Sequence, residues 1–131
     1  MNDLDFIIRL NEHVNTLGLF VDCNLSILQE GESMALVALP GGTETLFMDG
    51  TRDKDYNVQF TVKSKSQANC IGALNAIAEE LESLKTLTSS NNSFEFYGFT
   101  TTGMPSYVSK DDQGYWMWQL TLVAEITIIK E

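Results

Sequence analysis

The sequence has few of the residue types on which catalytic and metal sites are built. Its 131 residues include two cysteines and one histidine. Cys23 and Cys70 form no C-x-x-C pair and lie near no histidine, so we expect two reduced, mostly buried thiols and no zinc or redox motif. A catalytic triad would have to use His13, and no G-x-S-x-G nucleophile elbow accompanies it. These absences predict a protein that is not an enzyme and uses no cofactor.

Positive charge is also scarce. Eight Lys and Arg residues stand against eighteen Asp and Glu residues, a formal net charge of −10. This balance opposes a phosphate backbone instead of neutralising it, so sequence-specific nucleic-acid binding is not expected. The glycines at Gly41, Gly42, Gly98 and Gly103 match no phosphate-binding loop, which removes support for nucleotide binding.

Long hydrophobic runs are absent as well. The apolar run at the end of the chain is interrupted by Glu125 and by threonines, well short of the roughly 20 residues that span a bilayer. The first five residues are acidic where a secretory signal would be basic. We therefore expect no membrane partner and a protein that stays in the compartment where it is made.

The remaining composition, with 44% hydrophobic residues, is that of a globular protein, and the length predicts a single domain over residues 1–131. Apolar residues at helical spacing predict a first helix, and they are Leu4, Ile7, Val14 and Leu17. Asn2 or Asp3 would cap its start, and Gly18 would end it in a left-handed conformation. A second helix is predicted from about residue 65 to residue 84, opened by an S-x-x-Q capping box of Ser64 and Gln67.

Several segments have strand patterns. Residues 24–29 and 34–39 are apolar runs around Gly31, which predicts a hairpin. Residues 56–63 alternate apolar and polar, as in a strand with one buried face. An aromatic run over residues 94–99 predicts another strand. Hairpins segregated from helices favour an α+β fold with a mainly antiparallel β-sheet and two helices packed on one face.

The last strand pattern, over residues 115–129, is unusually long. Fifteen residues at about 3.4 Å each would extend about 50 Å, against about 17 to 20 Å for an ordinary strand. We expect this strand to bend, break or project from the domain as an edge. A projecting edge invites pairing with another chain, whereas a bulge near residues 123–125 would fold it over its own helices. Trp116 and Trp118 are expected in the core.

An acidic segment holds the strongest candidates for a metal site, Asp49, Asp53 and Asp55, because hard cations take oxygen ligands. Its spacing matches no EF-hand, and Arg52 and Lys54 partly neutralise the carboxylates. We expect an exposed, solvated loop or an interface there, and no metal.

The residues 56–63, the Gln67-Ala68 pair and the helix that follows resemble the small minor capsid or tail terminator (tail completion) proteins of long-tailed bacteriophages. The layout of an N-terminal helix, a hairpin, a strand entering a long helix and closing strands is similar over nearly the whole chain. The resemblance implies a structural virion protein with no catalytic residues. Such a protein forms a homo-oligomeric ring, expected to be a hexamer, at the head-proximal end of the tail tube, stops tube polymerisation and contributes to head-tail joining.

The implied partners are further copies of the chain, the tail-tube protein and the head connector protein, with DNA passing through the lumen. The implied location is the virion, after assembly in the cytoplasm of the bacterial host. On this interpretation Asp49, Asp53 and Asp55 are candidates for the lumen or rim of the ring. The candidates for a subunit or tube contact are Tyr115, Met117, Thr121 and Val123.

Two other functions fit parts of the sequence. The charge of −10 suits a small acidic inhibitor or adaptor protein that binds a basic protein partner. A carboxylate enzyme using the segment from Asp49 to Asp55 is the third hypothesis.

Overall fold

A computed structural model describes residues 5–25, 28, 30–39, 44–89, 91–101 and 105–129. Within these ranges the chain forms two helices and seven strands. In chain order they are α1 (Phe6–Asn15), β1 (Cys23–Leu25), β2 (Ser33–Ala38), β3 (Glu44–Leu46), β4 (Arg52–Ser64), α2 (Gln67–Ser83), β5 (Phe94–Thr101), β6 (Ser106–Lys110) and β7 (Trp116–Ile128).

The sheet is built on one long antiparallel ladder between β4 and β7. All 13 residues of each strand pair, from Arg52 opposite Ile128 to Ser64 opposite Trp116. On its other side β7 pairs with β6 and then with β5, while β4 pairs with β3 and then with β2. The last strand is therefore central in the sheet, and the expectation of a projecting or broken edge is wrong. Its length is matched because β4 begins at Arg52, four residues before the predicted strand.

Both helices pack on one face of this sheet, as the sequence predicts. Alternate residues of the two long strands face the helices, and the fully buried ones include Val58, Phe60, Leu120 and Leu122. Phe6, Leu10 and Val14 of α1 and Leu74, Ile77 and Leu81 of α2 complete the same core. The fold is α+β with a mostly antiparallel sheet.

Phe6 is the centre of the aromatic part of the core. Its ring is fully buried and lies 5.0 Å from Tyr56 and 5.2 Å from Phe94 between centroids, both edge-on. Phe96 and Phe99 lie 6.3 and 6.2 Å away. Because edge-on aromatic pairs add to the burial of apolar area, this cluster ties the start of α1 to β4 and β5.

The first helix begins later than predicted, at Phe6, and its buried residues are Phe6, Leu10 and Val14. Of the predicted stripe, Val14 is buried as expected, whereas Ile7 and Leu17 are only partly buried against the core. The predicted caps Asn2 and Asp3, and the apolar Leu4, lie outside the described residues. Gly18 has a φ of +70°, so its predicted left-handed conformation is confirmed, although the helix has already ended at Asn15.

The predicted hairpin between the first two strands is wrong, because β1 and β2 are parallel. Cys23 pairs with Met34 and Leu25 with Leu36, a constant separation along the chain. The side chain of Asn15, at the end of α1, accepts a hydrogen bond from the Cys23 amide at 2.7 Å and donates one to its carbonyl at 3.1 Å. These two hydrogen bonds hold β1 next to the end of α1. The apolar runs on either side of Gly31, from which the hairpin is predicted, contain no information about this tertiary contact.

The second helix starts at Gln67, and Ser66 is its N-cap, with its hydroxyl accepting from the Asn69 amide at 3.3 Å. The predicted capping box of Ser64 and Gln67 is therefore wrong by two residues. Ser64 is instead the buried last residue of β4, and its hydroxyl donates to a carboxylate oxygen of Glu32. The strand continues to this serine because its register with β7 continues to Trp116.

A buried carboxylate ties the start of α1 to the segment before β5. Oδ1 of Asp5 accepts from the hydroxyl of Ser89 at 2.7 Å and from that of Ser93 at 2.9 Å. The Asp5 amide donates to the Ser93 hydroxyl at 3.1 Å. The sequence of the segment that contains Ser89 and Ser93 is that of a polar linker, but in the structure its hydroxyls form tertiary hydrogen bonds with the start of α1.

Replacing Asp5 with alanine (Asp5→Ala) removes the acceptor shared by two serine hydroxyls. Since unpaired buried polar groups cost about 1–3 kcal/mol, we expect the free energy of unfolding to fall by that amount in urea denaturation. The side chain of Asp5 caps no helix amide, so the loss does not include a helix cap. The control Asp22→Ala removes an exposed carboxylate and is expected to change stability by less than about 0.5 kcal/mol. Equal midpoints for the two variants would refute the structural role of Asp5.

Candidate assembly surface on the open face of the sheet

The face of the sheet turned away from the helices is covered by no other element among the described residues. We call it the open face and define it by the alternate residues of the two long strands. They are Asp53, Asp55, Asn57, Gln59, Thr61 and Lys63 of β4 and Met117, Gln119, Thr121, Val123, Glu125 and Thr127 of β7. Each keeps part of its side chain exposed. The open face is thus a polar surface on a rigid ladder.

One end of the open face is acidic. Asp55 lies directly opposite Glu125, and Asp53 lies opposite Thr127, whose hydroxyl donates to Asp53 Oδ1 at 2.6 Å. The Tyr97 hydroxyl is 2.9 Å from that of Thr127 and donates to Glu95 at 3.2 Å. Carboxylates from β4, β7 and β5 therefore share one surface, and the Thr127 and Tyr97 hydroxyls lie between Asp53 and Glu95.

The predicted exposed loop over residues 49–55 is only partly correct. Asp53 and Asp55 belong to β4 and lie together on the open face, whereas Asp49 lies outside it, in the turn between β3 and β4. The Thr51 hydroxyl and amide donate to Asp49 Oδ1 at 2.7 and 3.0 Å. These hydrogen bonds, the hydroxyl first, lower the pKa of Asp49 below its ordinary value.

The residues predicted for an interface share the open face with Asp53 and Asp55. Met117, Thr121 and Val123 are on β7, and Tyr115 immediately precedes it. The ammonium groups of Lys63 and Lys65 lie 5.2 and 5.3 Å from the centroid of the Tyr115 ring. The open face therefore changes along the ladder from carboxylates at one end to lysine and aromatic groups at the other.

The thiols and the histidine form no reactive centre with one another. Cys23 and Cys70 are free and buried, as expected. Burial raises the pKa of Cys23 to about 12 and raises that of Cys70, so both remain protonated at neutral pH. His13 lies between the helices, with Nε2 3.7 Å from a carboxylate oxygen of Glu80.

The described part of the chain contains no group of three or more His, Cys, Asp or Glu side chains placed to hold a metal ion. In the same ranges, neither helix combines the length and the apolar character needed to cross a membrane.

Two parts of the surface are missing from the sequence interpretation. Glu95 and Tyr97 both reach the open face because they alternate with the core-facing Phe96 along β5, and the register shift against β7 between Phe96 and Gly98 then returns Phe99 to the core face. The bulge lies in β5, whereas the sequence interpretation considers one near residues 123–125, in the neighbouring strand β7. The second missed part is the apolar tip of the β3–β4 hairpin. The three consecutive apolar residues before Asp49, which are Leu46, Phe47 and Met48, are the sequence feature that indicates it.

The variant Glu125→Gln removes one charge of the directly opposed pair Asp55 and Glu125. Like charges opposite each other on a sheet destabilise it, so we expect stability to rise by about 0.2–1 kcal/mol at low salt. High salt should reduce the gain, because screening weakens the repulsion. The measurement is urea unfolding at two ionic strengths. Asp112→Asn, in the exposed β6–β7 turn, removes the same net charge without touching the ladder, and an equal gain there would contradict the pairwise origin.

The fold is similar to that of a chain in the virion of a native gene transfer agent particle. The match has a TM-score of 0.57 at 12% sequence identity and covers 87% of this chain and 84% of the other. At this identity the similarity concerns the fold alone. No curated protein sequence matches the chain.

A family model supplies the sequence relationship. The model of the bacteriophage tail terminator protein matches residues 13–128, a span that begins in α1 and takes in every strand from β1 to β7. This family is a structural one and not a family of enzymes. The chain belongs to the bacteriophage tail terminator protein family.

Proposed function

We propose that this protein terminates a phage tail by forming a closed hexameric ring on the head-proximal end of the tail tube. The ring stops tube polymerisation and contributes to head-tail joining. The observation that carries the proposal is the family match over residues 13–128. The position is the head-proximal end of the tail in the virion, and assembly takes place in the cytoplasm of the bacterial host.

In the proposed ring the acidic end of the open face lines the lumen and the two helices face outward. This orientation is supported by the asymmetry of the domain, in which the helices cover one face of the sheet and the other face is polar. Asp53 and Asp55, with Glu95 and Glu125, would then line the channel. Carboxylates repel DNA phosphates, so a genome passing through would slide without being held.

Asp49, which is fully exposed in the β3–β4 turn, belongs to the rim of the ring in this proposal. The contact with a neighbouring subunit or the tail-tube protein is assigned to Tyr115, Met117, Thr121 and Val123. This part of the open face has fewer carboxylates than the other end, so covering it costs less desolvation free energy. The head connector protein is the partner on the opposite side of the ring.

The first test adds the purified protein to polymerising tail-tube protein. We expect shorter tubes as its concentration rises, and negative-stain images with a six-fold ring at one tube end. The physical reason is that a bound ring occupies the site for the next layer of tube protein.

Heat-unfolded protein at the same concentration is the control for non-specific effects. Tubes of unchanged length, with no ring at their ends, would contradict the proposal. Binding instead to a basic protein without any ring would favour the acidic adaptor.

The second test probes the lumen by charge reversal. The double variant Asp53→Lys/Asp55→Lys changes the channel charge and should make assembled rings retain DNA, with retention falling steeply as salt rises. The measurement is DNA co-sedimentation with rings on tube ends.

The matched control is Glu12→Lys/Glu79→Lys, which makes the same charge change on exposed positions of the two helices. Equal DNA retention by both variants would show that the acidic end of the open face does not line the channel.

A further inference from the structure

The two most exposed large apolar residues in the described part of the chain, Met48 and Leu46, lie on either side of Phe47 at the end of the β3–β4 hairpin. Leu46 is 69%, Phe47 45% and Met48 107% exposed. We call these three residues the hairpin tip. A chain with a charge of −10 gains nothing in solubility from three adjacent apolar groups, and such patches mark interaction sites.

The hairpin tip is carried by an ordered turn. The Phe47 amide donates to the Thr51 carbonyl at 2.9 Å, and the Gly50 amide donates to the Phe47 carbonyl at 3.0 Å. At the base of the turn, Arg52 of β4 and Glu44 of β3 form a salt bridge, with 3.3 Å between Arg52 Nη1 and Glu44 Oε1. A surface that is already ordered loses little conformational entropy on binding, so this arrangement favours docking.

A groove lies at the opposite lateral edge of the sheet, between β5 and the segment that follows α2. Its lining combines the apolar and aromatic residues Leu87, Phe94, Phe96 and Tyr97 with the polar residues Thr86, Thr88, Ser89, Asn92 and Glu95. We call it the edge groove. It has a volume of about 340 Å³, which can admit an apolar side chain.

The hairpin tip and the edge groove are aligned by the register of the sheet. Thr45 of β3 pairs with Asp53, Asp53 pairs with Thr127, and Thr127 pairs with Glu95 of β5. The hairpin and β5 are thus the two ends of one cross-strand row. Two different surfaces at opposite edges and one level are what a head-to-tail interface requires, and such an interface closes into a ring when the rotation allows it.

We propose that the hairpin tip of one subunit docks in the edge groove of the next copy of this chain. The inference rests on the proposed ring and names its subunit contact. Three side chains bury far less than the roughly 800 Å² per partner of a stable interface. One such contact would not hold two subunits together, and this favours a second copy of the chain in a ring as the occupant of the groove. In a closed ring every subunit makes two of these contacts, and its contact with the tube end adds to them.

Cysteine cross-linking tests the contact directly. The variant Met48→Cys/Thr86→Cys places one thiol at the hairpin tip and one on the side of the edge groove. With a short bis-maleimide, in the presence of tube ends, we expect a ladder of covalent oligomers that ends at the ring number. The native thiols, Cys23 and Cys70, are buried and do not compete.

Two control proteins define the specificity of this ladder. Met48→Cys/Ile8→Cys replaces the groove thiol with one on the exposed side of α1 and should give no ladder. Met48→Cys alone should remain monomeric on a denaturing gel, and covalent dimers from it would overturn the proposal in favour of a tip-to-tip contact.

A charge variant provides a measurement without cross-linking. Met48→Glu brings a carboxylate to the edge groove and should raise the concentration for half-maximal ring formation by about tenfold or more. Ile8→Glu makes the same change on the helix and should leave that concentration unaltered. Both positions are exposed, so folding is unaffected.

Microscopy of the same samples separates the two levels of the proposal. Wild-type rings on tube ends without tip-to-groove cross-links, or normal rings from Met48→Glu, would overturn the contact and leave the ring intact. Absence of wild-type rings under all conditions would overturn the ring and the contact together.

Discussion

The rest of the structure depends on the antiparallel ladder in which all 13 residues of β4 pair with all 13 of β7. Four other strands attach directly to its two sides, and one of its faces carries the core beneath both helices. Because side chains alternate along a strand, the ladder also places a second set of side chains on the opposite face of the sheet, which the same helices cannot bury. Folding of the core and presentation of the open face are consequences of the same pairing.

The open face shows how a stable domain can carry a surface that is unfavourable for it. Asp55 opposite Glu125 is a repulsive arrangement, while Asp53 and Glu95 each accept a hydrogen bond from a hydroxyl between them, that of Thr127 and that of Tyr97. The cost is small beside the burial of Phe6, Phe60 and their neighbours, so the fold tolerates it. Under the proposed function, an acidic wall beside passing DNA is a physical use for such a surface.

Much of the architecture follows from residues close together in sequence. The alternation over residues 56–63 and the second helix predicted from about residue 65 to residue 84 are local patterns, and the structure retains both as β4 and α2. The errors arise where partners are distant. Ser64 was read as a cap because a capping box is a local motif, but pairing with Trp116 keeps it in the strand. Two apolar runs around Gly31 suggested a hairpin, but Asn15 holds Cys23 in a parallel pair.

Composition and periodicity alone determined that this is an acidic α+β domain with helices on one sheet face, because charge and local spacing need no knowledge of the partner strand. The likeness to tail terminators rested on the same order of elements. Only the tertiary structure decided that the longest strand is central, that Asp53 and Asp55 join Glu95 and Glu125, and that a hairpin tip and a groove occupy opposite edges. Strand register is set by pairing between residues up to 76 positions apart, from Arg52 to Ile128, and no local pattern contains it.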